Sequence, residues 1–504
     1  MKSRIPFLIF LFILAACGSS KRLMNTPKEE FRGVWVASVV NIDWPKDGND
    51  PASKQKKDFL EILDFYENLN FNAVIVQVRT AGDALYPSEL SPWSRYLTGQ
   101  QGKAPKNFED PLSWMISETH QRGMEFHAWL NPYRATFNLD TLSLDKTHDF
   151  YQHKDWMIKY GKKYYYNPGL PEVRNKFAEV VEELVENYTI DAIHFDDYFY
   201  PYKIKGEIFK DSLTYVSKKL PNQSLADWRR SNVDSLVQQV HATIKRTKPW
   251  VQFGISPFGV WRNKDIDPKG SDTKAGQTNY DDLYANPLLW MKQGWIDYLA
   301  PQAYWSMDYP PASYRNVSEW WSEQKGTVNL YLGNGPYKIK NNSDKAWDNE
   351  NEIPKQLKFT RTLPNIKGNI FFSAKSLLNQ HTKTVKKIRK IYAFPALNPT
   401  LKTASKRALK PLEIENSKIH DDTIHLEITH KDNIPRFVLF YLDRNKEIDR
   451  SLLLKKSYLS SKDDTITVDI PINSKIKRKG LQIVIQDAYG NQTQPVSINL
   501  KALQ

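Results

Sequence analysis

From Phe31 onward the chain alternates two hydrophobic rhythms. Short apolar runs with strand character fall at 31–39, 71–79, 124–132, 191–198, 251–259, 296–304, 327–335 and 368–376. Between them, apolar residues recur at helical spacing near 54–69, 109–123, 171–188, 223–248, 281–294, 310–325 and 350–363, with a last helix near 379–391. In 171–188, Phe177, Val180, Val181, Leu184, Val185 and Tyr188 mark one helix face, and Pro171 and Glu172 suit its first turn. Eight strand-helix repeats predict an α/β fold closed into a (β/α)8 TIM barrel over residues 31–395. An open doubly wound sheet would carry a Gly-rich turn after its first strand, and Val34-Trp35-Val36-Ala37-Ser38 has none. Links from helix to strand are short, whereas the strand-to-helix links 40–53, 80–108, 133–170, 199–222 and 260–280 are long. Active sites of such barrels are built from the second kind.

The rhythm changes after a basic linker at 396–412. Strand patterns at 423–430, 435–443, 465–470, 480–487 and 495–500, with a turn at Asp487-Ala488-Tyr489-Gly490-Asn491, predict a small all-β domain over 413–504. About seven strands in ~95 residues suit an immunoglobulin- or fibronectin-like sandwich. It shows no catalytic constellation and is expected to pack on the barrel, act as a spacer or bind glycan.

The N-terminus reads as an export signal. Lys2 and Arg4 precede the apolar run Ile5 to Ile13, too short to span a bilayer. Leu14-Ala15-Ala16-Cys17 fits the lipobox of bacterial lipoproteins, and Cys17 is the only cysteine among 504 residues. Residues 1–17 are therefore expected to be a signal peptide ending at a lipidated Cys17, and 18–30 a tether. Gly18-Ser19-Ser20-Lys21-Arg22 holds no acidic cluster of the kind that resembles a surface-export signal, so a periplasm-facing outer-membrane anchor is expected. Disulfide and thiol chemistry are excluded, and the anchor is the only expected membrane contact. The net charge is +14, and Lys383 to Lys410 holds nine Lys or Arg with no Asp or Glu. This stretch reads as a solvated helix and linker. Nucleic acid is not an expected partner of an exported, anchored chain; a monomer is assumed.

Strand alternation assigns faces. With Val74, Val76 and Val78 outward, Gln77 and Arg79 point into the lumen; with Phe126, Ala128 and Leu130 outward, His127, Trp129 and Asn131 point in. Ile193 and Phe195 leave His194 and Asp196 inside, and Leu299 and Ala303 leave Gln302 and Tyr304 inside. Polar side chains converging at the loop-bearing end favour a binding site, because burying them costs free energy unless they pair or meet a ligand. In Asp196-Asp197, adjacent carboxyls disfavour double ionisation, so one can hold a proton near neutral pH, as acid-catalysed glycoside cleavage requires. The aromatics Trp35, Trp44, Trp93, Trp129, Tyr133, Tyr198, Trp261, Tyr304 and Trp305 offer flat faces for sugar rings, about half of them being expected only to pack. A partner carboxylate for Asp196 is sought among Asp197, Asp43, Asp83 and Asp308. No metal or other cofactor is expected; a metal-dependent hydrolase is a third reading, weakened because no strand offers His-x-His and kept open by Asp196-Asp197 as a cation holder.

Four blocks carry a resemblance: Phe31-Arg32-Gly33-Val34-Trp35-Val36 with Asn41-Ile42-Asp43-Trp44-Pro45; Gln77-Val78-Arg79 with Gly82-Asp83-Ala84-Leu85-Tyr86-Pro87-Ser88; His127-Ala128-Trp129-Leu130-Asn131-Pro132-Tyr133-Arg134; and His194-Phe195-Asp196-Asp197-Tyr198-Phe199-Tyr200-Pro201. The chain resembles the family-ten glycosyl-hydrolase-like proteins of bacterial envelopes over roughly 31–395. That likeness implies hydrolysis of O-glycosidic bonds in an envelope polysaccharide, with peptidoglycan glycan strands the leading substrate. By position and chemistry Asp196 and Asp197 are the candidate catalytic residues, and Trp35, Gln77, Arg79, Asp83, His127, Trp129, Asn131, Arg134, His194, Tyr198, Gln302, Tyr304, Trp305 and Asp308 the candidate substrate-binding residues. The fourth-strand block also looks like that of the alpha-amylase superfamily, which would make Asp196 a nucleophile, but Ser256-Pro257-Phe258 lacks that superfamily's glutamate, and Tyr198 stands where a chitinase-like glutamate would be. Acid and nucleophile both stay open for Asp196. The alternative reading is a non-catalytic glycan-binding lipoprotein using the same aromatic cleft.

Overall fold

The structure is a computed structural model and describes residues 27–324, 326–401, 407–432, 434–443, 453–460, 464–472, 476 and 480–498. Cys17 and the signal segment lie outside the described residues. Eight parallel strands close into a barrel: β1 Phe31–Val36, β2 Ala73–Arg79, β3 Glu125–Leu130, β4 Ala192–Phe195, β5 Gln252–Ile255, β6 Tyr298–Leu299, β7 Asn329–Asn334 and β8 Ile366–Phe371. Each pairs with its sequence neighbours, and β1 pairs with β8. Around them lie α1 Ala52–Glu67, α2 Pro111–Gln121, α3 Pro171–Asn187, α4 Leu225–Thr247, α5 Pro287–Gln293, α6 Tyr314–Glu323, α7 Glu352–Thr360 and α8 Thr382–Ile391. The helix starts follow local chemistry. Asp110 caps α2 by accepting from the Ser113 N–H at 2.9 Å, and Ser313 caps α6 by accepting from Asn316 at 3.0 Å. Pro171 opens α3, whose buried face is Val173, Phe177, Val180, Val181, Leu184 and Val185.

Two strands are shorter than the apolar runs suggest. The 251–259 run leaves the ladder after Ile255, and the 296–304 run after Leu299. Pro257 and Pro301 have no N–H to donate to a ladder. The chain stays extended past them, with single bridges Phe258 to Gln302 and Gln302 to Gly333, which bring Gln302 to the mouth.

The alternation of faces holds. Val74, Val76, Val78, Phe126, Ala128, Leu130, Ile193 and Phe195 join the shell between strands and helices. The lumen is filled by Phe31, Trp35, Ala73, Ile75, Trp129, Tyr298, Tyr331 and Ile370. Its lower part is aromatic: Phe31 stacks on Tyr331 at 4.2 Å. Such rings fit because Gly254 leaves room; a Cβ there would lie 1.9 Å from Cζ of Tyr298. At the barrel base, buried Glu30 accepts from Arg32 and Arg361, each at 2.7 Å, tying the start of β1 to the end of α7.

Among the described residues the C-terminal domain has seven strands: β9 Glu413–His420, β10 Thr423–Thr429, β11 Arg436–Leu442, β12 Leu453–Leu459, β13 Thr465–Pro471, β14 Leu481–Asp487 and β15 Val496–Ile498. Sheets β9-β10-β13 and β12-β11-β14-β15 face each other across a core including Ile424, Leu426, Val438, Phe440, Val468 and Ile483. The second sheet also buries its other face. Phe437, Leu439, Tyr441 and Val484 pack with Leu397, and Tyr458 stacks on His120 at 3.7 Å, at the end of α2. The sandwich thus caps the base of the barrel, opposite the long loops.

Gly254→Ala forces the Tyr298 ring to move and should destabilise the protein by about 1–3 kcal/mol, the usual range for overpacking a filled core. A fall in melting temperature checks this; an unchanged value would refute the filled lumen.

Candidate active site

The mouth is built where β3, β4 and the extension of β6 end. Asp196 and Asp197 follow β4 and are 4% and 1% exposed. Asp196 accepts the Tyr198 backbone N–H at 3.1 Å and the Trp129 indole N–H at 3.3 Å. Asp197 accepts the Tyr202 hydroxyl and lies near the Gln302 amide, whose Nε2 donates to the Ser256 carbonyl at 2.9 Å. Burial, and then the charge of Asp197, push the Asp196 carboxyl up to about 7. Burial pushes Asp197 up to about 6, against the donors Tyr202 and Gln302 and the Arg134 charge. The pair therefore keeps a proton close to neutral pH, because both carboxyls are buried and their charges oppose each other.

Arg134 supplies the neighbouring positive charge. Its guanidinium lies 4.7 Å from the Tyr198 ring centre, its backbone N–H donates to Asn131 Oδ1 at 3.1 Å, and its Nε has no hydrogen-bond partner. Trp35 lies beside His194, donating its indole N–H to Nε2 at 3.2 Å. Tyr304 packs on Phe372 at 6.0 Å, and Trp305 meets Phe258 edge-on at 5.6 Å. Tyr198, Tyr304 and Trp305 keep part of their surface exposed, as a sugar platform needs.

Several expected site residues are placed elsewhere. Asp83 closes its own turn, accepting from the backbone of Thr80 and Ala81, both at 2.9 Å, and from the Thr80 hydroxyl at 2.8 Å. Asp308 points outward, 78% exposed, and meets Arg315 at 3.4 Å. Asp43 accepts from the Ala37 N–H, the Ser373 hydroxyl and the Lys375 N–H at 2.8, 2.7 and 2.9 Å, stapling the end of β1 to the end of β8. Asp197 alone of the four candidate partners shares the mouth with Asp196. His127 lies deep in the lumen, fully buried and bonded to Tyr298 and Glu125. Gln77 and Arg79 brace loops: Gln77 accepts from Val39 N–H at 3.0 Å, and Arg79 donates to the Ser91 hydroxyl at 2.5 Å. Trp44, Tyr133 and Trp261 are buried in the shell.

Three residues of the site fall outside the sequence expectations. Tyr298 has the same parity as Gln302 and Tyr304, so alternation continued by two more steps would find it. Ser256, bonded to His194 at 3.0 Å, shows in the sequence only as a missing glutamate. Tyr202 lies in a loop, where no periodicity marks it.

The closed parallel barrel and its aromatic, carboxyl-bearing mouth define a TIM-barrel protein of the glycosyl hydrolase-like class. The chain belongs to the family described as Glycosyl hydrolase-like 10, whose profile matches residues 30–349. It is similar to Glycosyl hydrolase YngK of Bacillus subtilis (strain 168), 46% identical over 407 residues covering 79% of each chain. It is also similar to Glycosyl hydrolase DigH of Escherichia coli (strain K12), 38% identical over 367 residues, 68% of this chain and 83% of that protein. Among solved structures, the PgaB (BpsB) glycoside hydrolase domain from Bordetella bronchiseptica is similar with a TM-score of 0.48 and 13% identity, over 71% of this chain and 99% of that one.

The carboxyl pair makes a stability prediction. Both groups hold protons more tightly folded than unfolded, where the ordinary value is 3.8, so stability is present at low pH and lost as pH rises through about 6 and about 7. Asp196→Asn should melt higher than wild type at about pH 8 and lose that advantage toward about pH 4. A pH-independent difference in melting temperature would contradict the shared burial of the two charges.

Proposed function

We propose that this protein is a glycoside hydrolase that cleaves O-glycosidic bonds of an envelope polysaccharide, peptidoglycan glycan strands being the leading substrate. The observation that carries this reading is the buried Asp196–Asp197 pair, raised toward neutral pH and set among aromatic faces. Asp196, the tighter proton holder, donates to the glycosidic oxygen as the bond breaks. Asp197 stays ionised under Tyr202 and Gln302 and offsets the positive charge that develops on the anomeric carbon. Arg134 moderates both shifts and keeps Asp197 ionisable. Trp129 fixes the acid through its indole N–H, and the faces of Tyr198, Tyr304 and Trp305 receive sugar rings. The name glycosyl hydrolase carried by YngK and DigH supports the reaction class.

The envelope setting belongs to the same proposal. Cys17 as a lipid anchor would hold the barrel at a membrane, facing the periplasm, and an envelope glycan is the polysaccharide within reach. A second reading, glycan binding without turnover, draws on the commitments of Asp43, Asp83 and Asp308, which leave Asp196 only its chain neighbour as a partner.

Purified protein should release reducing ends from peptidoglycan glycan strands or another envelope polysaccharide, and Asp196→Asn and Asp197→Asn should each lower kcat by about 100-fold or more while leaving the fold intact. Binding without turnover across a broad glycan panel would select the second reading. The rate should rise with pH as Asp197 ionises near about 6 and fall as Asp196 loses its proton near about 7. Tyr202→Phe removes a donor to the Asp197 carboxylate, so the acidic limb of the profile should move to higher pH while the variant stays active. A limb that stays in place would remove Asp197 from the mechanism.

A further inference from the structure

A file of hydrogen bonds descends the lumen beneath the mouth. Trp35 Nε1 meets His194 Nε2 at 3.2 Å, His194 Nδ1 meets the Tyr298 hydroxyl at 2.9 Å, that hydroxyl meets His127 Nδ1 at 2.8 Å, and His127 Nε2 meets Glu125 Oε2 at 3.1 Å. Both imidazoles are fully buried. The chemistry of the donors fixes the direction of the file. An indole N–H only donates, so His194 Nε2 must carry a bare lone pair. The neutral ring then has its proton on Nδ1 and gives it to the Tyr298 oxygen. The phenol proton is left for His127 Nδ1, and His127 places its own proton on Nε2, toward the Glu125 carboxyl. Every member is satisfied with no charge on either ring. Reversing the file would set two N–H groups against each other between Trp35 and His194.

Four further observations bear on this. Ser256 Oγ lies 3.0 Å from the same His194 Nε2 and 3.3 Å from the Phe195 carbonyl oxygen, so its one proton serves either acceptor. Burial, then the neighbouring His127, hold the His194 ring well below its ordinary value, which keeps it neutral. Gly254 sits between His194 and Tyr298 in the strand register, and the missing side chain lets the phenol lean across to both histidines. At the foot of the file, the sandwich brings Lys456 into the field of Glu125 and Asp191.

We infer that this file locks His194 in the Nδ1–H tautomer and thereby holds the Trp35 indole in one orientation at the floor of the mouth, with Tyr298 and His127 as positioning residues for a sugar bound above. The tautomer lock stands on geometry alone; the role toward sugar rests on the glycosidase reading.

The test begins with unmodified protein carrying 15N-labelled histidine, with His194 assigned through its hydrogen bond to the Trp35 indole. The expected spectrum shows Nδ1–H for His194, unchanged from about pH 5 to about pH 8, with Nε2–H for His127 in the neutral ring. An Nε2–H His194, an imidazolium or averaging between tautomers overturns the lock. Trp35→Phe and Tyr298→Phe should then each raise KM for an oligosaccharide about tenfold, with kcat within about twofold, and the double variant should be no worse than either single one. Penalties that multiply overturn the positioning role. If the wild type turns over no glycan, the hydrolase reading fails while the tautomer spectrum still decides the lock.

Discussion

Two carboxyl groups on consecutive residues are buried at the end of one strand, and much of the mouth is arranged around that constraint. Neither Asp196 nor Asp197 has water enough to ionise freely, and their charges oppose each other. The structure answers with donors to both. Asp197 receives a phenol; Asp196 receives an indole and one backbone N–H. Arg134 adds positive charge to both. In the proposed reaction one carboxyl of the pair holds the proton while the other is ionised, the division of labour acid-assisted bond cleavage needs.

The barrel supplies the geometry for this. A parallel strand presents alternate residues to the lumen, so β3 and β4 deliver Trp129, His194 and Asp196 without help from loop conformation. Pro257 and Pro301 end the β5 and β6 ladders early, and the extended segments beyond them carry Gln302 across to Asp197. Deeper in the lumen, aromatic and imidazole rings replace the branched aliphatic layers usual in this fold, and glycines facing them make the space. The sandwich closes the opposite end, with one sheet buried on both faces.

The eight strands, their helices and the inward faces of four strands were legible in the sequence because both rhythms are regular and outward residues such as Val74, Val76, Phe126, Leu130, Ile193 and Leu299 are apolar. What escaped has physical reasons. Asp83, Asp308 and Asp43 follow strands just as Asp196 does, and only coordinates reveal that Asp83 caps a turn, Asp43 staples two strand ends and Asp308 faces outward. His127 shares the parity of Trp129 but sits two residues lower, which places it in the core rather than at the mouth. Tyr202 reaches Asp197 from a loop, where side-chain direction follows no period. In the sandwich, β9 and β12 are hidden for a similar reason: β9 is an edge strand with few apolar residues, and β12 carries Lys455-Lys456 where alternation is expected.

The central claim is that Asp196 and Asp197 act on a glycosidic bond laid across this mouth. A crystal structure of Asp196→Asn with a bound envelope oligosaccharide tests it most directly. The account predicts a bridging glycosidic oxygen within hydrogen-bond distance of the residue at 196, the adjoining anomeric carbon on the side of Asp197, and a sugar ring against Tyr198, Tyr304 or Trp305. An oligosaccharide bound elsewhere on the chain, or one crossing the mouth with its glycosidic oxygens out of reach of both positions, would contradict it.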